Sequence, residues 1–215
     1  MKIILKSFKF VIAYLFISGG TVVLLSIILQ YVPFRDDVGI FLQHNSYTDL
    51  PLWKSAFYIH VFTAIFAVLA GFTQFSQYII NNHRFIHKVM GKLYAYNILL
   101  INVPAGFIIA IFASGGWQIR AAFIILDLLW CYCTYEGVKH IKDGDIAGHR
   151  RFMMRSYALT CSAITFRIWK YLLTTFTHLD PVVIHTIDAW MAFVPNLLFV
   201  EWVIWQKKQR SYSEV

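Results

Sequence analysis

KSAFYIHVFTAIFAVLAGFTQFSQYII, residues 54–80, decides how the chain is read. After Lys54 the stretch holds no Asp, Glu, Lys or Arg, and it exceeds the roughly 20 residues that carry a helix through a bilayer. It therefore predicts a transmembrane helix. Working outward, five more segments meet the same standard: residues 11–32, 88–113, 117–139, 152–176 and 183–206. The expected fold class is all-α, a polytopic membrane bundle of six transmembrane helices forming a single domain over residues 1–215. Gly-rich and Asp-rich turns punctuate it at Ser114-Gly115-Gly116, Asp143-Gly144-Asp145 and Asp180-Pro181.

Composition points the same way. Of the 215 residues, 59% are hydrophobic and 14% charged, with a mean hydropathy of +0.60. A soluble domain is about half apolar and about a quarter charged. Lipid can cover the apolar excess that water cannot. The net charge of +8 would suit nucleic acid if the bases shared one polar face. They sit instead in short clusters between apolar runs, so no nucleic-acid partner is expected.

The clusters set topology. Lys2, Lys6, Lys9, Arg84, Lys88, Lys92, Lys139, Lys142, Arg150, Arg151, Arg155, Lys207, Lys208 and Arg210 fall on one side, and only Arg35, Lys54 and Arg120 on the other. The positive-inside rule places the first set, and both termini, in the cytoplasm (N-in/C-in). The basic rim also favours anionic lipid heads. The N-terminal lysines resemble the start of a signal peptide, but the apolar run that follows is too long for one and is kept as a first span. Cys131, Cys133 and Cys161 lie inside apolar runs and read as packing residues, with no disulfide framework.

Eight histidines are many for so apolar a chain. His83, His87, His140 and His149 belong to the cytoplasmic side, and His44, His60, His178 and His185 to the external side. His44, His83, His140 and His178 read as solvated loop residues. His60 lies inside a span, where ionisable groups are expensive and mark functional sites. Helical spacing puts Ala64, Ala67, Gly71, Gln74 and Tyr78 below it on one face. His87 similarly heads Gly91, Tyr94, Ile98 and Ala105, and His149 heads Ser156, Thr160, Ala163 and Arg167.

A histidine above a stripe of small residues, on several helices, suits a b-type haem, whose flat ring sits between helices on axial imidazoles. It equally suits plain close packing of helices in lipid. His87 and His149 start two spans at one face, as two ligands of one iron must, and Arg155 is near enough to pair with a propionate. On the external side His60 is expected to face His185 or His178, and Asp188, three residues from His185, to orient that imidazole. Asp127 and Arg167 are expected to pair within the membrane, as a structural ion pair, a proton path or a quinone headgroup site. The loops at His87 and His149 also share a faint pattern of histidine, base, apolar residues, base and tyrosine, as an internal duplication leaves.

These residues resemble a known family. His60, Gly71, Gln74 and Phe75 followed by His87-Lys88-Val89-Met90-Gly91-Lys92-Leu93-Tyr94 resemble its first motif. Gly144-Asp145-Ile146-Ala147-Gly148-His149-Arg150-Arg151-Phe152-Met153-Met154-Arg155-Ser156-Tyr157, with Thr165-Phe166-Arg167 beyond, resembles its second. The family is the bacterial predicted membrane proteins called domain of unknown function 2306. The resemblance implies a multi-pass protein of the inner membrane and directs attention to His60, His87, His149, Arg155 and Arg167. A looser likeness is to six-span diheme cytochromes of the b561 type. Here the fourth span lacks a membrane histidine, so one haem is the expected number.

The leading expectation is thus a membrane electron carrier, or a membrane oxidoreductase, with haem b as cofactor. His87 and His149 would be the iron ligands, His60 and His185 would form an external-side site, and quinone or a redox protein would be the partner. The rivals are a proton-coupled transporter, a non-haem metal site held by histidines, and a cofactor-free scaffold. No phosphate loop, dinucleotide fingerprint or HExxH zinc motif is present.

Overall fold

A computed structural model describes residues 2–43 and 47–213. Among the described residues the regular elements are all helical. They are α1 (Lys2–Leu29), α2 (Pro51–Gln74), α3 (Gln77–Asn82), α4 (Arg84–Tyr96), α5 (Val103–Ile111), α6 (Trp117–Lys142), α7 (Ile146–Thr160), α8 (Ser162–Phe176), α9 (Pro181–Met191) and α10 (Val194–Ser213). A short 3₁₀ turn, Gly39–Gln43, precedes α2, and a π-helical turn, Asn97–Asn102, joins α4 to α5.

Among the described residues four helical stretches are long and apolar enough to cross a membrane: Pro51–Gln74, Arg84–Ile111, Trp117–Lys142 and Pro181–Gln209. Two of the six expected spans are not among these four. In α1 the fully described stretch is the apolar helix Tyr14–Leu29. The fifth is interrupted at Cys161 into two helices of 15 residues each and carries Arg155, Arg167 and Lys170.

Local chemistry sets the ends. Pro51 and Pro181 occupy first-turn positions, where a missing N–H costs nothing. Asp180 and Asp145 cap α9 and α7 by accepting from the N–H groups of Val182 (2.7 Å) and Gly148 (2.8 Å). The second span stops at Gln74 rather than residue 80, because Ser76 accepts from the Ile79 N–H and starts α3. Gly144, at φ +81°, turns α6 into α7 through a conformation that a side chain would strain.

The core centres on α6 and α7, the most extensively packed pair. Buried apolar residues from α2, α4, α6, α7 and α9 meet there, among them Ala67, Tyr94, Ile119, Leu159 and Ala189. A polar network runs through it. The Tyr94 hydroxyl lies 2.8 Å from Ser156 Oγ and 2.9 Å from Thr160 Oγ1. Trp130 Nε1 donates to Thr160 Oγ1 (3.0 Å), and Thr134 Oγ1 sits 2.7 Å from Ser156 Oγ. Away from water each buried hydroxyl must find a protein partner, and here each does.

The outer surface is apolar at mid-helix. Phe66, Leu100, Leu128 and Phe199 are each more than half exposed, which is what a lipid-facing belt requires. Beyond it, the segment before α2 packs an aromatic cluster of Tyr31, Phe41, Trp53, Phe57 and Tyr58. Lys54 binds Asp36 at 2.6 Å and holds that carboxyl below the usual carboxylate range. The cysteines are free, with Cys133 in the core.

Candidate functional site

Two groups of histidines lie at different levels of the bundle. At the end where α4 and α7 begin stand His87 and His149. The His149 Nδ1 lies 2.7 Å from the Gly137 carbonyl of α6. A carbonyl only accepts, so the ring proton sits on Nδ1 and Nε2 offers a lone pair. Gly137 makes the approach possible, since a Cβ there would collide with Met153 of α7. His87 of α4 lies near enough to His149 for their charged forms to repel each other. Its carbonyl accepts from Gln74 Nε2 (3.2 Å), while its Nδ1 is buried without a partner.

Nearer the other end lies His60 of α2. Its Nδ1 is 3.3 Å from the Asn102 carbonyl, which again fixes the proton on Nδ1. Asn102 closes the π-helical turn, where the Val103 N–H bonds the Ile98 carbonyl five residues back. Two features of the sequence explain that widened turn. Pro104 has no N–H to give the carbonyl four residues earlier. Asn97 and Asn102 are spaced at the π repeat and bond each other, Asn102 Nδ2 to Asn97 Oδ1 at 3.1 Å. Asn97 also donates to the Thr63 carbonyl of α2 at 3.0 Å. Asn102 is fully buried. Such turns often sit at functional sites.

Around His60 stand Asp127 of α6 and Arg167 of α8. A Cβ on Gly106 would lie 2.9 Å from Asp127 Oδ1 and 3.4 Å from the His60 ring, so carboxylate and imidazole border the same glycine. Arg167 acts electrostatically on His60. The expected Asp127–Arg167 ion pair is not formed. The guanidinium turns back along its own helix to the Ala163 carbonyl (2.9 Å), and the carboxylate faces α5. Asp127 Oδ2 and Arg167 Nε are both buried without a partner.

His185 of α9 bonds Asp188 through Nδ1 at 3.1 Å, as their spacing predicts. Asp188 is fully buried, and its second oxygen is unpartnered. Phe123 and Phe166 flank the imidazole. Among the described residues no bond or ring contact joins His185 to His60, so the expected external pair is not brought together. His178 is exposed. His44 lies outside the described residues.

Other expectations change. His140 is not a solvated loop residue. It sits in the last turn of α6, with Nδ1 2.9 Å from Asp145 and its ring stacked on Phe152. Arg155 pairs with Glu201 of α10, Nη2 to Oε2 at 2.9 Å. The small-residue stripes below His60 and His87 are filled by side chains. The Tyr157 ring lies over Gly71, with its hydroxyl donating to the Val68 carbonyl at 2.9 Å, and Gln74 lies over Gly91. Those faces serve helix packing. Among the described residues no group of three or more His, Cys, Asp or Glu is placed to hold a metal ion.

Of the features expected for a haem, the stripes below His60 and His87 are taken up by packing, and the two imidazoles His87 and His149 remain. Among the described residues His149 bonds through Nδ1 alone, and His87 lies near it on a separate helix. Residues 57–204 match the family model described as predicted membrane protein (DUF2306). No curated protein and no solved structure matches the chain.

Proposed function

We propose that this chain, which belongs to the predicted membrane protein family DUF2306, binds one b-type haem between His87 and His149 and carries electrons within the membrane. The carrying observation is His149, whose ring is locked by the Gly137 carbonyl so that Nε2 points a lone pair away from α6. His87 supports it from α4, with a buried Nδ1 that nothing else in the bundle uses. When bound, the haem supplies one-electron reduction and reoxidation.

The chain's own residues do the rest. The Gly137 carbonyl sets the tautomer of His149 and raises the basicity of its free nitrogen. Arg155, held by Glu201, places a guanidinium on α7 near the same end. We place the protein in the cytoplasmic membrane with both termini inside, adding α1 and the α7–α8 pair to the four long helices to make six crossings. The lysine and arginine distribution supports that orientation.

Oxidised and dithionite-reduced spectra of the detergent-purified protein from haem-replete cells test the reading. A reducible b-type spectrum, lost in His87→Ala and His149→Ala but kept in His140→Ala, is expected. A colourless wild-type protein ends the proposal. Reporter fusions at both termini test the orientation, which fails if either terminus reports from outside.

A further inference from the structure

Asp127 and Arg167 are a buried acceptor and a buried donor, each with an atom that has no partner, and Asp127 borders His60 across Gly106. They form no salt bridge, so more than 4.0 Å separates them. Asp127 is only 6% exposed and lies in the middle of α6. A lone charge at such a position is costly, and the cost falls when a ligand supplies the missing bonds. We infer that Asp127, Arg167 and His60 hold the headgroup of a para-hydroquinone, a lipid-soluble quinol.

The chemistry narrows the ligand. A simple anion would suit Arg167 and be repelled by Asp127, and a simple cation the reverse. The ligand is therefore neutral, with an acceptor at one end and a donor at the other. A hydroquinone has a hydroxyl at each end of a flat ring. One oxygen accepts from Arg167 Nε–H, and the opposite O–H donates to Asp127 Oδ2. His60, with its proton fixed on Nδ1 by Asn102, offers Nε2 as a further acceptor. Access is from lipid. Leu128 and Ile168, the residues next to Asp127 and Arg167, are 53% and 41% exposed on the apolar surface. Gly106 lets the Asp127 carboxylate and the His60 ring approach the same point of α5. Nothing in this rests on the haem.

The test is equilibrium binding of a decyl-tailed benzoquinol, kept reduced under nitrogen, to the detergent-purified full chain. Binding is read as ligand retained in equilibrium dialysis, with protein melting as a second readout. Saturable binding at one quinol per chain is expected. Asp127→Leu and Arg167→Met should each weaken it at least tenfold. Both replace a lone buried charge by an apolar chain, so melting without ligand should stay level or rise. His87→Ala, which removes the proposed haem ligand, should leave quinol binding unchanged. If either apolar variant does not fold, Asp127→Asn and Arg167→Lys take its place, with the same loss expected. The proposal is overturned if the wild type shows no saturable binding or if the variants bind as well as the wild type. Equal retention of decylbenzene, which lacks both hydroxyls, overturns it too by showing partition of the tail alone.

Discussion

Gly71→Ala is expected to change sign with its neighbour. Gly71 lies in α2 beneath the Tyr157 ring of α7, and a Cβ there would collide with that ring. The ring is not free to yield. It rests on Phe75 with centroids 4.9 Å apart, and its hydroxyl donates to the Val68 carbonyl. Three contributions decide the outcome. Alanine gains about 1 kcal/mol of helix propensity over glycine. Overpacking against a fixed ring costs about 1–3 kcal/mol. Displacing the Tyr157 hydroxyl loses about 0.6 kcal/mol, the average for hydrogen bonds between membrane helices. The net is a loss of up to about 2–3 kcal/mol. In a Tyr157→Leu background the ring and its hydrogen bond are already gone. Gly71→Ala should then be neutral, or stabilising by up to about 1 kcal/mol. The coupling between the two sites is therefore about 2 kcal/mol or more. Reversible unfolding in mixed detergent and dodecyl sulfate micelles, followed by circular dichroism, measures all four corners of the cycle. An equal cost for Gly71→Ala in both backgrounds would refute the packing account and return the face below His60 to the role of cofactor space.

Glu201→Gln should cost only about 0.5 kcal/mol, because Arg155 and Glu201 are partly exposed and solvent screens the pair; the cost should shrink further in high salt. Asn102→Ala should cost about 1–3 kcal/mol, since it strips a buried side chain from the Asn97 pair. Hydrogen exchange should then quicken across residues 97–102, and unchanged exchange there counts against the pair as the cause of the π turn. The Gly148 N–H, and after it His140, hold the Asp145 carboxyl below the usual carboxylate range. Its help to the start of α7 is therefore complete above the unfolded pKa near 3.9 and fades as pH falls through the lower folded value. Exchange protection at Gly148 should stay flat from neutral pH to about 4 and drop only below it, with no such drop in Asp145→Ala.

How much of this could be read from residues alone divides along physical lines. The four long apolar helices, the turn glycines and the Asp-bearing turns were legible because each depends on nearest neighbours in sequence. His185 and Asp188 were legible for the same reason, being one helical turn apart. The failures came where a partner was supplied by the backbone or by packing. The Gly137 and Asn102 carbonyls that orient His149 and His60 leave no trace in composition, and neither does the Tyr157 ring over Gly71. The break at Cys161 and the end of α2 at Gln74 carry no glycine, proline or charged residue to mark them. One signal was available and went unused: Asn97 and Asn102 at π spacing, with Pro104 two residues on, mark the turn that orients His60. Asp127 and Arg167 looked like a pair because opposite charges in a membrane should meet. That reasoning assumes the protein alone must satisfy them.

The pattern of satisfied and unsatisfied groups is what makes that assumption fail. Among the described residues, the buried side-chain atoms without partners are Trp53 Nε1, His87 Nδ1, Asp127 Oδ2, Arg167 Nε and Asp188 Oδ2. Trp53 belongs to the aromatic cluster before and within α2. The other four belong to the histidine groups. A bundle that was simply poor at pairing polar groups in lipid would leave orphans everywhere. This one links Tyr94, Trp130, Thr134, Ser156 and Thr160 without a loose hydroxyl in the very same core. An unpaired buried group costs about 1–3 kcal/mol, more when charged. Leaving three of them at His87 and near His60, while closing the central network, concentrates that cost where ligands are proposed. A bound group that completes those bonds turns the cost into affinity, and that difference separates a site from a packing defect.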